Sequence, residues 1–249
     1  MLGTIGRAGE VMRLFNSAKP EWGVTEIAAC LGLPKSTTHD VLTSLAEVGL
    51  IRHTESNRYR LGWGLLSLSQ VLLATTEFRN RGLEVMTELV AALGETVHLG
   101  VVDGPEVVYL EKLQGTRAVQ VSLSGTGRRV PANCTAIGKT ILADLSWHEL
   151  QAVFRLPDAL PALTGNSITD LTVLRSELSQ VRRQGYAHDF EEAAPEICCV
   201  GAPIRDSGTR VVAALSITVP AYRFTKEKDR YTRHVIDAAA SMSFPESLD

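Results

Sequence analysis

Residues 24–51, VTEIAACLGLPKSTTHDVLTSLAEVGLI, restrict the fold more than any other stretch of this chain. Ile27, Ala28 and Leu31 recur at the spacing of one apolar helix face. Gly32 ends that helix, because a residue without a β-carbon takes the left-handed conformation needed there. Leu33-Pro34 starts the chain again, and proline suits a first helical turn, where its missing N–H is not used. The second helix is expected to bury Thr38, Val41, Leu42, Leu45 and Val48 and to stop at Gly49. Lys35, Ser36, Thr37, His39, Asp40 and Thr43 fall on its other face. Two short helices joined by a tight turn, the second with a polar outward face, describe a helix-turn-helix. Its second helix fits a DNA major groove.

The next residues extend the pattern. Residues 51–61, IRHTESNRYRL, make two short extended runs around Glu55-Ser56-Asn57, a composition suited to a hairpin turn. Arg52, Arg58 and Arg60 lie on this hairpin, within reach of phosphates beside the groove. The two helices alone are compatible with a small packing unit; followed by a basic hairpin they read as a winged helix. Charge gives limited support. The chain carries a formal −3, and residues 1–63 hold seven Lys/Arg against six Asp/Glu. Attraction to DNA must then come from how Lys35 and the hairpin arginines are arranged, and from two subunits acting together.

At 249 residues and 45% hydrophobic content, the chain suits one large or two ordinary domains with ample core. No apolar run approaches the ~20 residues needed to cross a bilayer. The start, MLGTIGRAGEVMRLF, lacks the features of a secretory signal, so a cytoplasmic location is expected. Cys30, Cys134, Cys198 and Cys199 form no CxxC pair and no disulfide framework, so reduced thiols are expected. A first helix is predicted over 6–18, with Ile5, Ala8, Met12 and Phe15 on one stripe. Residues 65–75 form a helix rich in leucine (Leu65, Leu66, Leu68, Leu72, Leu73) that is too apolar to stand alone in water. Its place between a DNA-binding unit and a larger domain favours a connector that pairs with its copy in another subunit.

The larger domain opens with a helix over 77–93, with Phe78, Gly82, Val85, Leu89 and Ala92 on one face. The period then changes to two. Val97, Leu99 and Val101 alternate with Thr96, His98 and Gly100, and further runs cover 107–110 and 118–123. These predict half-buried strands of a mostly antiparallel sheet. A glycine-and-arginine loop over 125–131 leads to a helix over 136–145. Ser146 caps the next short helix, and Leu171, Leu174, Leu178 and Val181 mark another that ends at Gly185. Strands over 197–204 and 211–219 and a closing helix over 225–242 complete an α+β domain.

Three segments of this domain converge on a small-molecule site. Amides at the start of the helix near Ala136 can hold a carboxylate. Ser216 and Thr218, two apart on a strand, turn both hydroxyls to one side, opposite Leu215 and Ile217. Gly185-Tyr186-Ala187-His188-Asp189 leads into the strand of Cys198 and Cys199. A few polar groups on an apolar wall are what a ligand pocket needs. Each also has a plainer reading: a solvated sheet face, a hydrated helix start, a cysteine that is only a small hydrophobe. Cys199 with His188 and Asp189 could instead be nucleophile, base and orienter, but neighbours in sequence rarely point at one spot. His98, His148 and His188 show no ligand spacing on one element, so no zinc site is expected. Glu191-Glu192 as an acid/base pair meets the same objection, because adjacent carboxylates diverge.

With these residues in view, the chain resembles the IclR family of bacterial transcriptional regulators. The likeness is carried by VTEIAACLGLPKSTTHDVLTSLAEVGLI followed by RYRLG, then PANCTAIGKTILA, then GYAHDFEEAAPEICCVGAPIRD. It covers almost the whole chain, with the motifs in the family's order. The resemblance implies a winged helix over 1–63, a linker helix over 64–76, and a GAF-like effector-binding and oligomerisation domain over 77–249. It further implies dimers, often pairing into tetramers, and a pocket for small metabolites, often organic or aromatic acids. Carried over residue by residue, the effector site comprises Ile137, Gly138, Asp189, Ile197, Cys199, Ser216 and Thr218. Two departures are visible. Asp40 stands where the family usually has arginine; a carboxylate there cannot hold a phosphate but can accept from a cytosine amino group. Ala193-Ala194-Pro195 replaces a glycine-bearing pattern ahead of the cysteine strand.

The sequence therefore predicts a ligand-responsive DNA-binding regulator without catalytic residues, metal or cofactor. Its partners would be operator DNA, a small effector and its own copies. The competing readings are a GAF-like enzyme using Cys199 and a DNA-binding scaffold whose pocket is filled by side chains.

Overall fold

The computed structural model describes residues 3–117, 124–155, 160–207 and 209–244, and the chain divides into two units, Met1–Thr75 and Thr76–Asp249. The first unit runs α1 (Thr4–Leu14), α2 (Val24–Leu31), α3 (Lys35–Glu47), β1 (Ile51–His53), β2 (Tyr59–Leu61) and α4 (Gly64–Ala74). Gly32 takes the left-handed conformation at the end of α2, with φ 64°. The Leu33 N–H then closes the turn on the Ala28 carbonyl at 3.0 Å. Val11, Phe15, Ile27, Val41, Leu42, Leu45, Ile51 and Tyr59 form the core. The α1 stripe is thus centred on Val11, while Ile5, expected on it, is 89% exposed in the first turn. Val48, expected inside, follows the last residue of α3 and is exposed. β1 and β2 pair antiparallel, with Asn57 at φ 57° in the turn, and Trp22 makes an isolated antiparallel bridge to the backbone of Tyr59. No residue of α4 is buried, although Leu66, Leu68, Val71 and Leu72 lie on it.

The second unit contains α5 (Glu77–Leu93), β3 (Thr96–Asp103), β4 (Glu106–Leu113), β5 (Arg129–Pro131), a 3-10 turn over Ala132–Cys134, α6 (Ala136–Leu142), α7 (Trp147–Phe154), α8 (Leu171–Gln184), β6 (Ala187–Phe190), β7 (Ile197–Arg205), β8 (Val211–Pro220) and α9 (Ala221–Met242). The strands form one antiparallel sheet in the order β5-β4-β3-β8-β7-β6. One face packs on α5 and α9 through Met86, Leu89, Leu99, Val200, Leu215, Ile217 and Val235. The other face lies under α6, α7 and α8 through residues such as Val107, Ile137, Leu142 and Leu174.

Helices on both sides change the expected burial. Thr96 to Gly100 are buried at every position, so β3 is a fully covered strand rather than a half-solvated one. The buried stripe of α5 is Gly82, Met86, Leu89 and Leu93, and Ala92, expected on it, is exposed. Arg129–Pro131, predicted as loop, pairs with β4, and Ala187–Phe190 adds the edge strand beyond β7. The strand predicted over 118–123 lies outside the described residues.

Candidate functional site

In the first unit, α3 turns Thr38, Val41, Leu42 and Leu45 inward and leaves Lys35, Ser36, His39 and Asp40 exposed, with Thr37 and Thr43 half-buried beside them. The hairpin arginines are placed differently from one another. Arg58 pairs with Glu26 and donates to the Glu21 carbonyl at 3.2 Å, and Arg60 pairs with Glu21 at 2.9 Å. Arg52 has no such carboxylate among the described residues; its guanidinium lies 5.5 Å from the Trp63 ring centre. Lys35 and Arg52 are thus the cations of α3 and the hairpin without a carboxylate partner among the described residues, and Asp40 is an exposed carboxylate 3.9 Å from His39 Nδ1.

The second unit assembles its polar side chains by strand register. Asp189 on β6 lies opposite Cys199 on β7, Cys199 opposite Thr218 on β8, and Thr218 opposite Thr96 on β3. Gly201, Ser216 and His98 make the next row. Directly opposed residues in a sheet point to one side, so both rows face α6. The helix comes close because residue 201 has no side chain: a β-carbon there would sit 3.0 Å from the Ala136 carbonyl carbon. Thr140 Oγ1 fixes the contact by donating to the Gly201 carbonyl at 3.1 Å. A small cavity remains between this face, the Thr135–Ile137 segment and the chain at Ala193-Ala194. Glu191 and Glu196, both at left-handed φ of about 60°, bracket that last segment.

Asp189 is the one charged side chain lining the cavity among the described residues. Its Oδ1 accepts from the Glu192 N–H at 2.7 Å and the Ala193 N–H at 3.3 Å; its Oδ2 is buried with no hydrogen-bond partner. Burial, reinforced by the Glu192 carboxylate, pushes its pKa up to about 7. Lys139, 1% exposed, offsets this only in part, because its ammonium is held by Glu192 and reaches Glu177 at 3.4 Å. His98 is enclosed too: its Nε2 lies 2.9 Å from Ser124 Oγ and its Nδ1 3.2 Å from Thr218 Oγ1. Burial, then the Lys112 charge, lowers its pKa to about 3, so the ring is neutral. Thr218 Oγ1 lies 3.3 Å from Cys199 Sγ, whose pKa burial and Asp189 raise well above the usual thiol value.

Of the residues expected to bind an effector, Ile137, Asp189, Ile197, Cys199, Ser216 and Thr218 line this one cavity. Gly138 does not. Its N–H is taken by Thr135 Oγ1 at 2.9 Å, and a β-carbon on it would overlap the Ala132 backbone. It lets α6 start against the 3-10 turn. Ser216 and Thr218 are 4% and 8% exposed, so they do not fill a solvated face. His188, alternating with Asp189, points the other way and packs among Tyr186, Phe190 and Phe224 beside α9. Cys199, His188 and Asp189 thus do not share a site. No cluster able to hold a metal occurs among the described residues. Sequence reasoning missed His98 as a lining residue, together with Tyr109, Ser124 and Thr135. The signal was the polar alternation of Thr96, His98 and Gly100, which marks the cavity side of β3.

A winged helix in one unit and a sheet-based cavity in the other define a one-component, ligand-responsive DNA-binding regulator. Residues 4–55 match the IclR helix-turn-helix domain, and residues 70–244 match the bacterial transcriptional regulator IclR C-terminal domain. The chain belongs to the IclR family of transcriptional regulators. It is 37% identical over 216 residues to the HTH-type transcriptional regulator XynR of Escherichia coli, covering 86% of this chain and 85% of that one. It is similar to the Thermotoga maritima IclR structure at 32% identity and a TM-score of 0.70, covering 96% of each chain. An IclR homolog from Microbacterium hydrocarbonoxydans, complexed with 4-hydroxybenzoate, superposes with a TM-score of 0.81 at 26% identity, covering 97% of this chain and 98% of that one. No helix among the described residues is long and apolar enough to cross a membrane.

Proposed function

We propose that this regulator binds its operator as a homodimer, itself able to pair into a tetramer, and senses a small organic or aromatic acid in the cavity of the second unit. It acts in the cytoplasm, where operator and metabolite meet, and performs no chemistry on the ligand. The observation that carries this reading is the single sheet face on which Asp189, Cys199, Ser216 and Thr218 meet Ile137. Hydroxyls and one orphaned carboxyl oxygen in an enclosed space suit recognition, and a thiol held in its neutral form is a poor nucleophile. Among the described residues, no lysine or arginine lines the cavity. An acid must then be received by the hydroxyls and by the amides at the start of α6.

On the DNA side, Lys35 and Arg52 contact phosphates, with Arg58 and Arg60 contributing once released from Glu21 and Glu26. Ser36, Thr37, His39, Asp40 and Thr43 read base edges, and Asp40 selects a base that offers a donor, such as cytosine. The domains act as the winged helix over 1–63, the linker over 64–76 and the effector domain over 77–249. Effector binding changes operator affinity to the extent that the ligand binds one dimer arrangement better than the other.

The test is retention of DNA from the protein's own promoter region, with and without a panel of organic acids that includes 4-hydroxybenzoate. Sequence-specific retention, altered several-fold by one acid, is the expected result. Specific retention indifferent to every acid would overturn the sensing half. Absence of specific retention at physiological salt would overturn the operator half.

A further inference from the structure

Among the described residues, the cavity offers the proposed acid no counter-ion. Asp189 is the one charged group lining it, and residues 118–123, AVQVSL, contain no lysine or arginine. A metabolite carboxylate, ionised near neutral pH, would share this enclosed space with a second carboxylate. Like charges so placed do not both stay ionised, and burial sharpens the conflict. The neighbours of Asp189 do not resolve it. Glu192, on the connection that leaves β6, is a further carboxylate and pushes the Asp189 pKa up. Lys139 on α6 acts the other way, but its ammonium is held by Glu192 and approaches Glu177 on α8. Burial keeps Cys199 on β7, Cys134 in the 3-10 turn and Tyr109 on β4 protonated, and keeps His98 on β3 neutral. None of these four carries a charge to balance an anion.

The hydrogen bonds of Asp189 also fix where a proton goes. Oδ1 accepts from the Glu192 N–H at 2.7 Å and the Ala193 N–H at 3.3 Å, so it is committed as an acceptor. Oδ2 is buried without a partner. A hydrogen therefore settles on Oδ2, from which it can be given to a ligand oxygen. We infer that Asp189 is the proton-accepting group of the cavity: an acid anion binds together with one proton drawn from solvent, which Asp189 holds on Oδ2. The one covalent bond formed is that O–H; the ligand remains a carboxylate. The regulator then reads its acid jointly with pH, and its hold weakens as the medium turns alkaline. This role rests on the small-acid reading of the cavity and adds the charge state in which the acid is received.

Calorimetric titration of the full chain with benzoate and with 4-hydroxybenzoate, in buffers of different ionisation heat, counts the protons taken up. With Asp189 titrating near 7, uptake is expected to rise from about 0.1 per ligand at pH 6 to about 0.9 at pH 8. Affinity should fall about tenfold over the same range, following the protonated fraction of the free site. Asp189→Asn keeps an oxygen for the two amides and puts an N–H where the Oδ2 hydrogen sits. It should bind without uptake, independently of pH, and about tenfold more tightly than the parent at pH 8. An ionised Asp189 serving as acceptor predicts the opposite, a loss of binding in Asp189→Asn. Binding by the parent without proton uptake at pH 8 overturns the inference and leaves the acid reading standing. So does a folded Asp189→Asn variant that loses binding or still takes up a proton. Failure of both acids to bind the parent at any of these pH values overturns the acid reading, and the proton-linked role with it.

Discussion

Asp189, His98 and His188 are all carried away from their ordinary titration ranges by burial, but with opposite consequences for stability. The two histidines have folded pKa values of about 3 and about 4, below an ordinary value near 6.5. Between those limits the unfolded chain binds the protons and the folded chain does not. Their contribution is intact above about pH 6.5 and is lost as pH falls towards 4 and 3. Asp189, raised from 3.8 to about 7, runs the other way: its cost is absent below pH 3.8 and grows as pH rises to about 7. Asp189→Asn should therefore gain on the parent from pH 4 to 7, by at most about 1.4 kcal/mol per pH unit, and hold that gain above pH 7. Urea unfolding followed across that range checks this. A difference independent of pH would mean that Asp189 stays ionised throughout in the folded state. The sign of the shift also bears on the proposed site, since near neutral pH this carboxyl is partly protonated, and alkaline conditions make it the stronger acceptor.

At the scale of elements, α6 depends on two glycines that serve different contacts. Gly201 lets the helix lie on β7, whereas Gly138 lets its first turn meet the 3-10 turn at Ala132. Gly138→Ala places a methyl group into backbone that cannot yield as a side chain can, and α6 is buried at every position. The expected loss is about 1–3 kcal/mol of stability, with weakened effector binding because Ile137 moves with the helix. Gly32→Ala, by contrast, strains only an exposed left-handed turn, at about 1 kcal/mol. Denaturation of the two variants, read for each unit, distinguishes the contacts. These glycines also show what the sequence could tell. Gly32 was readable because a helix stop is local, written in Leu31-Gly32-Leu33-Pro34. Gly138 looked like a ligand contact because its true neighbour, Ala132, approaches through the path of the chain. That Ser216, Thr218 and Asp189 line one cavity is readable from alternation and from family likeness. The pairing of Lys139 with Glu192, and of His98 with Ser124 and Thr218, joins residues far apart in sequence and needed the sheet register. The burial of β3 on both faces was hidden for the same reason, since alternation reports one covered face and says nothing of a second layer.

At the scale of the whole molecule, the unexplained surface is α4. Leu66, Leu68, Val71 and Leu72 are each 57% or more exposed, on a helix with no buried residue. Soluble proteins seldom leave a contiguous apolar surface of that kind without a partner. The proposed dimer offers this surface a partner in a second copy of α4, and a winged helix with two of its wing arginines neutralised by Glu21 and Glu26 has little charge to hold DNA alone. Joining two such modules turns the second contact into an intramolecular one and raises affinity by orders of magnitude without any new contact. Leu68→Glu with Leu72→Glu should therefore yield a monomer by sedimentation while each unit stays folded, as the substituted positions lie outside both cores. Operator affinity should fall by about a hundredfold or more, whereas affinity of the cavity for a small acid should change little. A double variant that remains dimeric would place the subunit interface elsewhere. A monomer that keeps full operator affinity would show that one winged helix suffices and that the exposed face of α4 serves some other contact.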